Sequence, residues 1–552
     1  MFQEEKLNHH IMRKASYWLA AMVGLTLILS ACSSEEDINP DNRNLKHITF
    51  TAGQAITRTI IDGTDAAQIN WQADDAISIL DGTSTPRSFK LTSGEGEPEG
   101  RFEGMAQETS SYTAVYPCQE NGLKLNGNSV EGAWLDPVQT ATAGTFDPKA
   151  NLMMARTKSG DKILQFHNMT AFVKVTPEMD CEQITIVSAD STVALAGTMT
   201  LTLDENGNAS ATVTGNASHQ VSLTGNIEAG KTYYIAIAPA ALNGGIRMGI
   251  TTTDGKHYCK DASKLESFTA NKVLNLGSIS TDKMEWLPYV TFSAKEAQEV
   301  KLDDLNHRVI NSMDYSTDYG KHWSNFSTDQ FYAFGKTTRL MLRGNNPNGT
   351  AIADKDQYEI AQYAYFSFKN NVEVACSGDI RTLVKKEKYA SADSKEVRYY
   401  SLFHSCTQLT SAPELPATEL ASECYGFMFF GCSALTKAPQ LPATELAVNC
   451  YAYMFTLCSA LNEAPILKAP RLVENCYENM FAHCSSLHAV TMLATDVSSA
   501  KNCLAGWLQG TEGGILTVAT GMSSNEAITK ENNTPKSWEI VEQQSSPTHE
   551  PQ

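Results

Sequence analysis

The chain has 552 residues, more than one hydrophobic core usually spans, so its length predicts several domains. Charged residues make up 19% of the chain and apolar residues 42%, a balance that excludes a wholly disordered protein. The net charge of −19 argues against nucleic acid and anionic lipid headgroups as partners, because both would be repelled.

The N-terminal segment, residues 1–32, has the composition of an export signal. Arg13 and Lys14 precede an apolar run over residues 18–29, which is shorter than a membrane span needs and fits a signal peptide. The run ends in Leu-Ser-Ala-Cys at residues 29–32, which resembles the lipobox of bacterial lipoproteins. The resemblance implies that Cys32 carries a lipid anchor in the cell outer membrane. The alternative is an ordinary cleaved signal with a chance cysteine.

Residues 33–46 form an acidic linker. It opens with a polar and acidic cluster, which consists of Ser33, Ser34, Glu35, Glu36 and Asp37. Such a cluster just after a lipidated cysteine resembles the surface-export signal of Bacteroidetes lipoproteins. The resemblance implies a place in the outer leaflet, facing the medium. A solvated acidic linker without a sorting role is the alternative.

Residues 47–282 show the alternation of half-buried strands. Ile48 and Phe50 alternate with threonines, and the run over residues 199–203 does the same. Asp-Glu-Asn-Gly at residues 204–207 separates two such runs and predicts a hairpin turn, whose glycine suits positive φ. Many short strands with turn signals and few helices predict a mainly β chain built from antiparallel β-sandwiches.

Residues 48–239 carry a series of motifs. They are Ile-Thr-Phe at 48–50, Thr-Arg-Thr at 57–59, Trp71 with Asp-Asp-Ala-Ile-Ser-Ile at 74–79, Leu-Gln-Phe-His-Asn-Met at 164–169 leading into Phe-Val-Lys-Val at 172–175, and Ala-Gly-Lys-Thr-Tyr at 229–233 leading to Pro239. In their order and spacing these motifs resemble fimbrillin-like proteins of Bacteroidetes. The resemblance implies two tandem sandwiches of transthyretin-like topology, at residues 47–170 and 171–282, and a role in fimbriae.

One departure from fimbrillins bears on that role. Polymerising members of the family use their C-terminal segment in subunit exchange, whereas this chain continues for about 270 residues beyond the second predicted sandwich. We therefore expect a fimbrial tip or accessory protein, with fimbrial subunits among its candidate partners, rather than a main stalk subunit.

Residues 284–397 predict a third β unit. A turn at residues 315–320 leads to Trp323, and a short apolar strand at residues 340–343 runs into a loop rich in Asn, Pro and Gly. Similar segments precede leucine-rich repeats in related surface proteins of gut bacteria. We expect a small β-sandwich that acts as a spacer and cap.

Residues 398–522 repeat with a period of 26. Three residue types mark the period: Cys406, Cys432, Cys458 and Cys484; Leu409, Leu435, Leu461 and Leu487; Phe403, Phe429, Phe455 and Phe481. This period lies in the range of leucine-rich repeats, whose units stack because one unit cannot bury its apolar face alone.

Within one unit, Leu420, Cys424 and Met428 are four residues apart and predict one face of a helix. Residues 409–415 predict the strand side. The repeats should therefore form an α/β leucine-rich-repeat solenoid, followed by a C-terminal cap and tail at residues 523–552.

The pattern Cys-Tyr-x-x-Met-Phe-x-x-Cys begins at Cys424, Cys450 and Cys476. It resembles the BspA-like leucine-rich repeats of bacterial surface proteins. That resemblance implies adhesion and a protein or matrix partner on a host or bacterial surface.

The repeat cysteines have a competing interpretation as metal ligands. Cys424 and Cys432 are eight residues apart, whereas zinc-binding pairs are typically two to four apart. Free cysteine packs as a small buried hydrophobe, so we expect a core ladder with no metal and no cofactor. Disulfides between rungs are compatible with this spacing but are not needed for it.

No catalytic motif stands out: HExxH, GxSxG and a phosphate-cradling glycine loop are all missing from the sequence. We therefore expect a non-enzymatic adhesin. A surface glycan-binding lipoprotein is the first alternative, and exposed aromatics in a groove of sugar width would favour it. A hydrolase with an unrecognised site is the second, and a pocket with two carboxylates about 5–10 Å apart would favour it.

Variable positions between the apolar residues of the strand side are the candidate binding face. They are Thr410, Ser411, Glu414, Thr436, Lys437, Gln440, Asn462 and Glu463. Solenoids usually meet their partners on an extended face built from equivalent positions, so most of these side chains should point outward. Ordinary solvated surface is the alternative.

Overall fold

A computed structural model describes residues 44–54, 60–61, 65–66, 70–304, 308–336, 338–353, 360–392, 396–497 and 500–543. These residues are mainly β, as predicted, and hold strands in nine sheets and one α-helix of four residues. None of the helices in these ranges is long and apolar enough to span a bilayer. Cys32, the export cluster at residues 33–37 and the C-terminal tail beyond residue 543 lie outside the described residues.

The first strands close into a seven-stranded barrel in the order β1-β12-β11-β7-β4-β5-β6. The strands up to β12 are β1 (Lys46–Gln54), β2 (Ile60–Ile61), β3 (Asp65–Ala66), β4 (Ala76–Leu80), β5 (Arg87–Ser93), β6 (Glu99–Ala106), β7 (Thr113–Tyr116), β8 (Lys124–Asn126), β9 (Ser129–Leu135), β10 (Val138–Thr140), β11 (Met153–Arg156) and β12 (Ile163–Asn168).

Closure of the barrel corrects the prediction of an antiparallel sandwich here. The first strand, β1, pairs antiparallel with β6 and parallel with β12, so neither of its edges is free. Trp71 lies at the centre, where its ring contacts Phe102, Tyr116 and Phe166 edge to face at centroid distances of 4.9, 5.4 and 5.8 Å. The alternating Ile48 and Phe50 are buried in the same core, as their spacing predicts.

A second group of strands packs around a separate core. Its strands are β13 (Ala171–Pro177), β14 (Cys181–Ser188), β15 (Ala196–Leu203), β16 (Ala209–Ser218), β17 (Gln220–Ile227), β18 (Tyr233–Ile237), β19 (Ala240–Ala241), β20 (Ile246–Thr252), β21 (His257–Ala262), β22 (Ser267–Phe268), β23 (Val273–Ile279) and β24 (Glu285–Leu287). Its main sheets have the orders β10-β17-β14-β20-β21-β24, β18-β13-β23 and β16-β15-β9-β8.

The second group also takes strands from the first predicted unit. Strand β9 pairs with β15, and β10 pairs with β17 in parallel. Val130, Ala133 and Leu135 of β9 are buried in the second core because the apolar side of that strand faces it. Residues 124–140 therefore belong structurally with the strands after residue 171, although the predicted boundary places them before it.

The predicted hairpin at residues 204–207 is confirmed. It joins β15 to β16, which pair antiparallel. The Asp204 carboxylate accepts hydrogen bonds from the backbone N–H groups of Asn206 and Asn208 at 2.9 and 2.8 Å, and Gly207 has φ of 81°. The turn residues thus satisfy their own backbone donors.

A third group forms two further sheets. Its strands are β25 (Val290–Ala294), β26 (Gln298–Asp304), β27 (Met313–Ser316), β28 (Ser324–Asn325), β29 (Tyr332–Phe334), β30 (Leu340–Gly344), β31 (Ala351–Ala353), β32 (Ile360–Phe368) and β33 (Val374–Ser377). The sheet orders are β28-β27-β30-β25-β33 and β29-β26-β32-β31. Short 3₁₀ turns lie at Pro148–Ala150, Thr281–Lys283, Ile380–Leu383 and Tyr389–Ser391.

The 26-residue units continue directly from this third group. Their strands are β34 (Leu409–Ser411), β35 (Ile466–Leu467), β36 (Ala489–Met492) and β37 (Gly514–Val518), and the C-terminal segment after them adds α1 (Glu526–Thr529) and β38 (Trp538–Glu542). Strand β34 pairs in parallel with β33, and one continuous core joins the two regions. Strands β35 to β38 form a parallel sheet. We call the described residues between 399 and 518 the repeat stack, and each 26-residue unit a rung.

The prediction of an α-helix on one side of each repeat is wrong, because the backbone there forms turns. Residues 422–431 and their equivalents form successive turns, and α1 is the one α-helix within the described part of the chain. Residues such as Glu423, Phe427, Asn449 and Tyr453 recur every four positions with φ between 55° and 62°, which an α-helix does not allow.

These turns satisfy their backbone groups in an alternating way. Cys424 N–H donates to Ala421 O within its own turn at 3.2 Å, whereas Tyr425 N–H donates to Cys450 O in the next rung at 2.9 Å. The same alternation continues through Phe429 N–H, which donates to Met454 O at 3.0 Å. The backbone itself therefore ties each rung to the next, and this offsets the cost of the positive φ values.

Candidate functional site

The predicted binding face, which we call the strand-side strip, divides into two parts. Glu414, Thr436, Lys437, Gln440, Asn462 and Glu463 are exposed. Thr410 and Ser411 are half-buried, because their hydroxyls donate to Val374 O and Cys376 O of β33 at 3.1 and 3.0 Å. Six of the eight side chains thus face outward, while Thr410 and Ser411 attach the first rung to the third group.

Two rungs contribute the best-defined part of the strip. Residues 437 and 463 form a parallel β-bridge, and Asn462 N–H donates to Thr436 O at 3.0 Å. Lys437 Nζ lies 2.7 Å from Glu463 Oε2, and the two side chains are 64% and 60% exposed. Exposed pairs of this kind contribute little to stability, so these charges are free to serve a partner.

The repeat cysteines form a buried ladder of free thiols, as predicted. In one column, Cys432 donates to Phe403 O and Cys458 to Phe429 O of the preceding rung, both at 3.1 Å, and the first thiol, Cys406, donates to Phe366 O of β32 at 3.2 Å. Burial raises the pKa of Cys484 to about 12, so its thiol stays protonated at neutral pH. Among the described residues no group of three or more metal-ligating side chains comes together.

Stacked aromatic rings fill the interior of the stack. Phe403, Phe429, Phe455 and Phe481 stand in one column, with centroids 5.4 to 5.7 Å apart and ring planes within 9°. This column satisfies the expectation that the 26-residue period marks a core. Met454 is fully buried beside it.

A second set of rings lies on the turn side and is only half-buried. Phe427 stacks on Tyr453 at 4.6 Å, and Tyr400 contacts Phe427 at 5.5 Å and Tyr363 of β32 at 5.5 Å. We call Tyr363, Tyr400, Phe427 and Tyr453 the outer aromatic column. This column was not predicted from the sequence. The available signal was the pair of aromatics at residues 427 and 453, where the neighbouring rungs have Ser401 and Asn479.

A cleft of about 380 Å³ opens where the outer aromatic column begins. Strand β32 forms one wall, with Tyr363 and Tyr365, and the turn at residues 404–408 forms the other. The buried side chains of Phe366 and Cys406 lie at its base. Its lining has no Asp, Glu, Lys or Arg residue, and in this it differs from the strand-side strip, which carries charged side chains.

The contact between the second and third groups holds a cluster of polar groups. Tyr319 packs over Gly249 and shares a hydrogen bond with Thr251 at 2.9 Å, and His257 Nε2 lies 3.1 Å from Ser377 Oγ. Burial, assisted by the nearby Arg339 cation, lowers the pKa of His257 to about 3, so the ring is neutral.

Asp318 anchors the same contact. Its carboxylate accepts from the His322 ring at 2.6 Å and lies 3.8 Å from His219 of the second group. Burial acts to raise the pKa of Asp318, but the nearby His219 ring and hydrogen bonds from His322 and Ser316 outweigh it and hold the pKa well below its usual range. The groups are therefore joined by a polar contact in which Asp318 is ionised and His257 is neutral.

No protein-family model matches the chain, and no curated protein matches it. A solved structure of a candidate cell adhesion protein from Bacteroides uniformis is 18% identical, and the match covers 44% of this chain and 95% of that one with a TM-score of 0.30. A second candidate cell adhesion protein, from Bacteroides ovatus, is 11% identical. The match covers 44% of this chain and 96% of that one, with a TM-score of 0.29. A fimbrial protein from Bacteroides ovatus is 11% identical over 41% and 48%, with a TM-score of 0.21. Similarity at this level assigns neither family nor function to this chain.

Proposed function

We propose that this protein is a non-enzymatic cell-surface lipoprotein, a fimbria-associated tip or accessory adhesin that presents BspA-like leucine-rich repeats to a protein or matrix partner. Lipid on Cys32 holds it in the outer membrane, and the acidic cluster at residues 33–37 directs it to the outer leaflet. The β units at residues 47–397, fimbrillin-like in the first two, carry the repeats away from the membrane.

One observation carries the adhesive part of this proposal: the strand-side strip changes from rung to rung on a core that does not change. Buried phenylalanine, cysteine and leucine recur in four successive rungs, from Phe403, Cys406 and Leu409 to Phe481, Cys484 and Leu487. The exposed positions hold Lys437 and Gln440 in one rung, and Glu463 and Ile466 at the equivalent positions of the next. A conserved core with a variable face is how stacked repeats specify a partner.

The ion pair between Lys437 and Glu463 makes this proposal testable. Lys437→Glu or Glu463→Lys alone places like charges together, whereas both changes restore a pair of opposite polarity. If the strip binds a partner, beads that carry the full-length double variant should attach poorly to immobilised matrix proteins although the stack is intact. Attachment that survives the double change but is lost on deletion of residues 47–282 would move the binding site to the fimbrillin-like units.

The anchor is tested separately. Cys32→Ala should abolish incorporation of labelled lipid and release the protein from the membrane fraction. Replacement of Glu35, Glu36 and Asp37 by alanine should leave lipid labelling unchanged but reduce the access of added protease in whole cells. A Cys32→Ala protein that is still lipidated would refute the anchor, and unchanged protease access would refute the export signal.

A further inference from the structure

The cleft at the start of the repeat stack has the size of a small-molecule site. Its volume of about 380 Å³ lies within the range of about 300–1,000 Å³ that such sites occupy. It is built by β32 of the third group and by the turn at residues 404–408 of the first rung. The cleft thus occurs where the stack begins.

The rings in the cleft are held by neighbours outside it. Phe430 of the next rung covers one face of His404, with centroids 5.1 Å apart and planes within 7°. Because Phe430 lies in the following rung, the other face of His404 is turned toward β32 and the cleft. Tyr363 lies 6.1 Å from Tyr365 and is held edge to face by Tyr400. These rings are therefore positioned before any ligand arrives.

The polar groups of the cleft are neutral. Ser405, Thr407 and Gln408 present hydroxyl and amide groups along one wall. Burial lowers the pKa of His404, so its ring is uncharged at neutral pH. Ser367 of the lining donates its Oγ to Asp303 at 2.7 Å, and that carboxylate, which does not itself line the cleft, is paired with Lys301.

Two ligand classes fit this lining poorly. An anionic polymer would find no cation in the lining of the cleft and a chain of net charge −19 around it. A peptide that adds as a strand would need a free edge on β32. On one side, residues 364–368 of that strand pair with β26. On the other side, residues 360–363 pair with β31, and Phe366 N–H donates to Leu402 O at 2.8 Å.

We propose that this cleft binds an uncharged oligosaccharide. The apolar C–H faces of the sugar rings pack against Tyr363, Tyr365 and His404, and the sugar hydroxyls hydrogen-bond to Ser405, Thr407 and Gln408. The inference rests on the proposed function only for the protein's place at the cell surface, and it concerns a different face from the strand-side strip.

The test titrates the detergent-solubilised full-length chain with neutral hexasaccharides: cellohexaose, xylohexaose, maltohexaose and mannohexaose. Hexagalacturonate serves as the charged comparison. At least one neutral sugar should bind, and should bind more tightly than hexagalacturonate. Tyr365→Ala and His404→Ala should each weaken that binding by about tenfold or more, the effect of losing a central aromatic contact.

Matched variants separate binding from folding. Tyr365→Phe and His404→Phe keep the rings and should keep binding within a few fold. Tyr453→Ala removes a half-buried ring of the outer aromatic column that does not line the cleft, and should leave sugar binding unchanged. Should an alanine variant fail to fold, hydrogen exchange of the wild-type chain decides, because bound sugar should slow exchange at residues 363–368 and 404–408.

Several results would overturn the inference. They are no binding of any neutral hexasaccharide, tighter binding of hexagalacturonate, sugar binding that is indifferent to both alanine variants, or cleft variants that reduce attachment to a matrix protein instead. Failure of the proposed function looks different. In that case the charge reversals at Lys437 and Glu463 leave attachment unchanged, whatever the sugars do.

Discussion

The barrel and the repeat stack both bury aromatic rings, but they do so in different ways. In the barrel, Trp71 contacts Phe102, Tyr116 and Phe166 edge to face in a single cluster assembled from distant strands. In the stack, Phe403 and Phe429 lie parallel at 5.4 Å, and the same contact recurs one rung later.

The two kinds of packing differ in how far the loss of stability from a single substitution should spread through the structure. A barrel closed by pairing of β1 with both β6 and β12 depends on all of its strands at once. A stack in which each rung hydrogen-bonds to the next depends on nearest neighbours, so it loses stability rung by rung. The stack also repeats its surface, and this makes it the better candidate for an extended binding face.

The largest effect should come from Met454→Asp. Met454 is fully buried between rungs, so the substitution places an unpaired charge in the core and should cost about 3–5 kcal/mol. The loss should spread through the stack and into the third group, which shares its core, while the barrel stays folded. Urea unfolding followed by hydrogen exchange over residues 46–168 and 399–518 measures both regions.

Trp71→Ala is the matched change in the barrel. Removal of a buried tryptophan should cost about 3–5 kcal/mol there and leave the stack protected. If either variant unfolds both regions at one urea midpoint, the barrel and the stack are one cooperative unit and the comparison fails.

A smaller effect should come from acid at the contact between the second and third groups. The pKa of His257 is lowered from 6.5 to about 3 in the folded chain, so between these values the unfolded chain takes up a proton that the folded chain does not. The stability that the neutral His257 ring contributes is therefore fully present above about pH 6.5, and it is lost progressively as the pH falls toward 3. A change from pH 7 to pH 5 should cost about 2 kcal/mol.

His257→Gln tests the origin of that acid sensitivity. The amide retains hydrogen-bonding capacity toward Thr251 and Ser377 but does not titrate. The slope of unfolding free energy against pH should flatten between pH 7 and 5 in this variant. An unchanged slope would assign the acid sensitivity to other groups.

A still smaller loss should follow Cys458→Ala. The change removes a thiol that donates to Phe429 O at 3.1 Å and leaves a small void, at a cost of about 1–2 kcal/mol. Cys118→Ala, at a partly exposed site near the barrel, should change stability by less than about 0.5 kcal/mol. If the two changes lower the free energy of unfolding in urea by the same amount, the buried cysteine ladder does not stabilise the stack.

The same two regions explain which features the sequence predicts. Met199, Leu201 and Leu203 alternate along one strand, and all three are buried as the pattern requires. The spacing of Leu420, Cys424 and Met428 correctly predicts a shared buried side. It does not distinguish a helix from four-residue turns, because a period of four suits both, and the positive φ of Phe427 has no glycine to signal it.

Contacts between distant segments were beyond prediction. Parallel pairing of β1 with β12 turns a sandwich into a barrel, and no local pattern in either strand specifies its partner. The cleft was not predicted for the same reason. Tyr363 and His404 are 41 positions apart in the sequence, and they line one cleft because β32 lies against the first rung.

The smallest effect on stability should come from Lys437→Glu. Both charges of its pair are more than half exposed, so the change should cost at most about 1 kcal/mol in urea unfolding. A loss of several kcal/mol would mean that the strand-side strip serves the stack rather than a partner.

Hydrogen exchange of the full-length chain, with and without a matrix protein to which it attaches, tests the central claim most directly. We expect the partner to slow exchange on the strand side of the repeat stack, around residues 436–440 and 462–466, and to leave exchange at residues 46–168 unchanged. Protection confined to the barrel, with the strand side unaffected, would contradict it.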